Sequence, residues 1–177
     1  TQIAGLRASD IAEFSAAQIQ ALSIQQIGAL TETQAAGLTT TALAALTPTQ
    51  IAALSTAALN ALSSTQVQVL SAAQVQALTT TQIDGLRSSD LAELGATQLA
   101  ALTATQIGTL DEGQVGGLTT TAVNALTGTQ VAALTTGALN ALTTSQVQAL
   151  STAQIQALTA TQLESLRASD IGELGAT

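Results

Sequence analysis

The stretch Leu70-Ser71-Ala72-Ala73-Gln74-Val75-Gln76-Ala77-Leu78 decides how this chain folds. Ser71 followed three residues later by Gln74 has the form of a capping box. The hydroxyl accepts from the backbone N–H of the fourth position, and the Gln side chain reaches back to the cap's own N–H. Leu70 before the cap and Val75 after the Gln are the two halves of a hydrophobic staple. A helix therefore starts at Ser71, and the next capping hydroxyl, Thr79, arrives only eight residues later.

Outward from this octad the pattern does not stop. Residues 7–174 divide into twenty-one consecutive octads without an insertion, with the consensus [ST]-x-x-Q-[IV]-x-[AG]-L. Position eight is Leu in every octad but the first, where Phe14 stands. Position five is Ile, Val or Leu except at Ala35, position one is Ser or Thr in sixteen octads, and position four is Gln in fourteen. A longer period is superimposed. The marker octads RASDIAEF, RSSDLAEL and RASDIGEL begin at Arg7, Arg87 and Arg167, 80 residues apart. Ala42 and Ala58 replace Gln, as do Ala122 and Ala138 one block later, and Glu32 is matched by Glu112. Residues 1–177 read as one continuous repeat array, with super-repeats at 7–86 and 87–166 and a partial third at 167–177. Repeats of this kind stack into quasi-one-dimensional arrays whose units touch only their neighbours.

The expected fold is all-α, a solenoid of very short capped helices with one helix of about two turns per octad. A single long helix is disfavoured, because an eight-residue repeat advances past two full turns and its apolar stripe would wrap around the rod. Isolated helices this short are marginal in water, so each must pack on others, and Ala or Gly at position seven lets backbones approach. A β-solenoid is the rival, since Thr, Val and Ile favour strands. The apolar spacings of three and five are both odd, which in a strand would send positions five and eight to opposite faces. The only proline, Pro48, sits where a first helical turn accepts it. Ala42 and Ala58 lie two octads apart, which suggests coils of 16 residues, two helices each.

Composition narrows function by exclusion. The chain holds no Cys, His, Lys, Met, Trp or Tyr, and a single aromatic residue, Phe14. Its core is thin and aliphatic, and its mean hydropathy of +0.41 is too high for a disordered chain. Without His, Cys, Lys or Tyr, most general bases, nucleophiles and metal ligands are missing, so no catalysis is expected. No phosphate loop or calcium loop spacing appears, and no cofactor or metal is expected. Three Arg against eleven acids give a net charge of −8. That disfavours nucleic acid as a partner, and no run is apolar and long enough for membrane insertion.

The marker octad is the one chemically distinct feature. Arg7, Asp10 and Glu13 recur as Arg87, Asp90 and Glu93 and as Arg167, Asp170 and Glu173, together holding every Arg of the chain. The bland reading is a solvated Arg–Asp pair at helical spacing, a kind of pair worth ~0.3–0.5 kcal/mol. The functional reading is a contact between chains that sets register, because charge pairs confer specificity more readily than affinity. Asp10 to Glu13 also fits a capping box shifted by three residues. Asp84, Asp90 and Glu93 are the raw material of a calcium site, but they supply too few oxygens for an ion that takes six to eight.

Octads such as TTTQIDGL (79–86), STAQIQAL (151–158) and TPTQIAAL (47–54) resemble the Ala/Thr/Gln-rich octapeptide-repeat regions of large bacterial extracellular proteins, adhesin-like or filamentous. The resemblance covers the whole chain at the level of a class and carries over no binding residue. It implies an extracellular or cell-surface location and a structural role in a filament or surface fibre. The partner would be the protein itself, in a fibre or bundle, or neighbouring repeats of the same parent chain. The alternatives are a spacer stalk of an adhesin, or a Ser/Thr-rich face, as at Thr119, Thr120 and Thr121, that binds glycan or ice.

Overall fold

The computed structural model describes residues 2–174, apart from the side chains of Gln2, Ala4, Ser169, Glu173 and Leu174. After a 3-10 turn at Gln2–Gly5, twenty-one α-helices follow one another among the described residues, one per octad, with no strand between them. The chain is an all-α solenoid of short helices, and the β-solenoid is not formed.

Local chemistry sets each helix. In the octad that begins at Ser71, Gln74 N–H donates to Ser71 Oγ at 3.2 Å, and Ser71 N–H donates to Gln74 Oε1 at 2.7 Å. The helix Ala72–Gln76 follows directly. Pro48 opens its own helix, Pro48–Ile51, at the position where a missing N–H costs nothing. The helices run from four to seven residues, little more than one turn rather than the two expected. The reason lies at the junctions, where two successive residues are extended: Leu46 at φ −61°, ψ 140° and Thr47 at φ −68°, ψ 156°.

The helices gather into two compact units, Thr1–Leu86 and Arg87–Thr177. Each is built the same way. In the first, Ala8–Ala12 packs on Glu32–Ala36, and Ala16–Gln20 packs on Thr40–Ala45. In the second, Ser88–Glu93 packs on Glu112–Gly116, which packs in turn on Thr136–Asn140. Each of these pairs lies three octads apart. The 16-residue coil is therefore not formed, and a coil closes after three to four octads. The junction explains this. Two extended residues turn a corner, whereas a helical hairpin reverses direction and often ends its first helix on a residue in the left-handed region. Among the described residues none has a positive φ.

Positions five and eight supply a narrow aliphatic core in both units. Ile11, Leu43, Ile51 and Ile83 are fully buried in the first unit, as are Leu91, Leu99, Ile107 and Leu139 in the second. Position seven is small because it meets the coil beneath. A Cβ added at Gly37 would stand 2.6 Å from the Ala8 carbonyl oxygen, three octads earlier.

Candidate functional site

The groups that carry the stacking lie along the edge where one coil meets the next. Position four is central. A capping box gives its Gln no task beyond the cap, yet Gln34, Gln74, Gln146 and Gln162 are buried. The side-chain oxygen accepts from the cap N–H, which leaves the NH2 group to face backward. Gln74 Nε2 donates to the carbonyls of Leu43 at 2.9 Å and Leu46 at 2.7 Å, in the octad four earlier. The bond recurs from Gln34 to Ile3 and Leu6, and from Gln50 to Gln20 and Leu22. In the second unit, Gln154 donates to Val123 and Leu126, and Gln162 to Val131 and Leu134. These carbonyls lie at or just past the ends of their helices, where the regular bond to the fourth residue onward is missing. A single amide thus starts one helix and caps the end of another.

Three octads without this Gln use a different amide. The chain's three Asn, at 60, 124 and 140, all stand at position six of an octad whose position four is Ala. Their side-chain amides point the other way. Asn60 donates to Gly85 O at 2.9 Å, Asn124 to Ala149 O at 2.7 Å and Asn140 to Ser165 O at 2.9 Å, each three octads later. Sequence reasoning missed this device. The coincidence of Asn at six with Ala at four was the available signal.

In the marker octads an Arg stands at position one and an Asp at position four, where the consensus has Ser or Thr and Gln. Arg, not Asp, occupies the cap position of Ala8–Ala12 and Ser88–Glu93, and Asp10 and Asp90 stand at the third helical residue. The shifted capping box is therefore incorrect: the Asp carboxylate takes the place of the Gln oxygen, and Arg7 N–H donates to Asp10 Oδ2 at 2.9 Å. An aspartate cannot donate, so the Arg does. Arg167 Nε donates to Asp170 Oδ2 at 2.8 Å, and its Nη2 reaches both Asp170 Oδ1 at 3.0 Å and the Leu142 carbonyl at 3.2 Å. Leu142 closes the octad four earlier, so this is a carbonyl of the kind a Gln amide reaches elsewhere.

Burial follows the octads available beneath. Arg7 and Asp10, with no described octad four earlier, keep 83% and 31% of their side-chain surface exposed. Arg167 and Asp170 keep 53% and 6%. The Arg7 backbone N–H, then its guanidinium, holds the Asp10 carboxyl below the usual carboxylate range. Hydrogen bonds to Asp90 and Asp170 raise the Arg87 and Arg167 guanidinium groups above their ordinary value.

The remaining marker acids differ in position. Glu13 is exposed, Glu93 is half-buried and near enough to Arg87 to act on its charge, and the Glu173 side chain lies outside the described residues. Among the described residues, no group of three carboxylates gathers as a metal site, so Asp84, Asp90 and Glu93 are not brought together as one. Also among those residues, no helix is long and apolar enough to cross a membrane.

The sequence matches the ALTTAQ repeat over residues 3–40, 40–72 and 83–120, more than half of the chain. The chain belongs to the ALTTAQ repeat family. The first match encloses a complete stacking contact, from Gln34 back to Ile3 and Leu6. Membership supports the repeat-region class that the octads resemble. No curated relative matches the chain in sequence.

Proposed function

We propose that this ALTTAQ array is the structural repeat region of a bacterial extracellular filament or surface fibre, with no catalytic role. One observation carries the reading: the polar groups that distinguish its octads are engaged in joining octad to octad. Gln74, Asn124 and Arg167 each direct side-chain donors to the backbone of another octad. The position-one hydroxyls accept from the N–H groups of their own helices, as Thr119 does from Ala122. That arrangement propagates a stack and leaves these groups little capacity to recognise a small ligand. The composition agrees, since an enzyme lacking His, Cys, Lys and Tyr would be left with Ser, Thr and carboxylates for its chemistry.

The reading is tested on the cells that make the protein, by immunogold electron microscopy with an antibody raised against the chain. Gold along fibres outside the cell is the expected result. Gold confined to the cell interior would overturn the proposal.

A further inference from the structure

We infer that residues 111–142 form a yielding segment within the second unit, one that opens before the matched residues 31–62 of the first unit. In a fibre this is where the chain would lengthen first. That use rests on the filament reading above, whereas the opening itself does not.

The two stretches are the same four octads, 80 residues apart, and they differ at only ten positions. Their cores are matched. Position eight is a buried Leu in all eight octads. At position five, Ala35, Leu43, Ile51 and Leu59 correspond to Val115, Val123, Val131 and Leu139. All are buried, and the two sets hold the same number of side-chain carbons. Position four runs Gln, Ala, Gln, Ala in both.

What differs is glycine. Gly113, Gly116, Gly128 and Gly137 stand where the first unit has Thr33, Ala36, Pro48 and Ala57, and no position changes in the other direction. All four lie in helices. Glycine loses the most backbone freedom on folding, which lowers the population of a helix about 2–5-fold per residue relative to Ala. Pro48 acts oppositely to its counterpart. It opens its helix with φ already set and stiffens the unfolded chain, whereas Gly128 at the same helical position loosens it.

The fold does not require two of these glycines. Among the described residues none has a positive φ. A Cβ added at Gly113 would meet nothing closer than Asp111 Oδ1 at 3.4 Å, an ordinary contact. At Gly137 it would stand 2.8 Å from Glu112 Oε1, the end of an exposed side chain that can swing away. Gly116 and Gly128 do meet closer neighbours, the Ala141 carbonyl oxygen at 3.2 Å and Ala157 Cβ at 2.8 Å. Gly113 and Gly137 belong to the helices Glu112–Gly116 and Thr136–Asn140, which pack on each other, so the weakness is concentrated in one pair. Asn140 of the same pair has a buried Oδ1 with no donor among the described residues. Against this the second unit gains one bond, from Asn124 to the Ala149 carbonyl at an exposed edge.

Native-state hydrogen exchange read by mass spectrometry on the 177-residue chain tests the inference, with each peptide corrected for its intrinsic rate. Residues 111–142 should exchange about 10-fold or more faster than residues 31–62, as expected of four glycines. Gly113→Ala with Gly137→Ala should slow residues 111–142 by about 5–30-fold and leave residues 31–62 unchanged. Thr33→Gly with Ala57→Gly should instead speed residues 31–62 toward the rate of their counterparts. Equal protection of the two stretches in the parent chain overturns the inference, as does earlier opening of residues 31–62. A double alanine variant that slows both stretches alike also overturns it, by showing one cooperative opening. The filament reading is untouched by any of these results and still stands or falls on the gold labelling.

Discussion

Residues 71–78 and residues 167–174 perform the same task with different chemistry. In the first octad one neutral amide does both jobs: Gln74 Oε1 accepts from the cap of its own helix, and Nε2 donates to Leu43 and Leu46 of another. In the second the jobs are divided. Asp170 accepts from the Arg167 guanidinium, as Asp10 accepts from the Arg7 cap N–H, and Arg167 supplies the donor that reaches Leu142. The repeat thus preserves a donor–acceptor geometry rather than a residue type. The Arg167–Asp170 pair is more than a solvated surface pair, because its guanidinium also reaches the Leu142 carbonyl. It also places a charge pair, which salt and acid can weaken, in a stack otherwise joined by neutral amides.

The core is common to both designs and sets the upper mark. Leu78→Ala should destabilise by about 2–5 kcal/mol, because a buried position-eight side chain leaves a cavity between coils. Chemical denaturation of the variant measures this, and a loss under half of that range would mean the core is not where the stability lies. Next comes the edge itself. Gln74→Glu keeps the cap acceptor but removes the donor to the carbonyls of Leu43 and Leu46, at a cost of about 1–3 kcal/mol. Gln18→Glu, at an exposed site, should be close to neutral in the same assay. Equal effects at the two sites would break the link between position four and stacking.

Helix starts, caps and the apolar core were legible in the sequence because each depends on residues within one octad: Ser71 with Gln74, Leu70 with Val75. The coil length was not. It is set by the corner at each Leu–cap junction, where Leu46 and Thr47 are both extended, and nothing in one octad announces how many corners close a turn. The marker residues were legible as a group, but their role was not. A capping box uses only the oxygen of Gln, so its pattern is silent about what the NH2 group, or the Arg that replaces it, touches four octads away.

A finer contrast lies within the marker octads. Arg167→Gln removes the donor to Leu142 and both bonds to Asp170, and should lower the melting temperature less than Gln74→Glu does. Arg7→Gln should lower it less again, as an exposed pair with no described octad four earlier. Replacing the pair outright, Arg167→Thr with Asp170→Gln, restores the consensus and should return the melting temperature to near that of the parent. Thermal melts of the three variants rank them, and a double variant worse than Arg167→Gln alone would show that the pair does something an amide cannot.

The smallest effect expected is that of acid on Asp10. Its folded carboxyl is held below the usual carboxylate range, chiefly by the Arg7 N–H. The stability it contributes is present above the unfolded value and is lost as pH falls through the depressed folded one. An NMR titration should place its midpoint below that of an unstructured Asp, and Arg7→Gln should move it upward only in part, because the backbone N–H remains. A midpoint at the unstructured value would mean that the carboxylate does not accept from the cap.

The most direct test of the stack is an NMR measurement of the Gln74 side-chain NH2 group. The structure predicts Overhauser contacts from these protons to Leu43 and Leu46, together with exchange slowed relative to the exposed Gln18 amide. Contacts instead to residues 55–62, two octads back, would restore the two-helix coil and contradict the stacking described here.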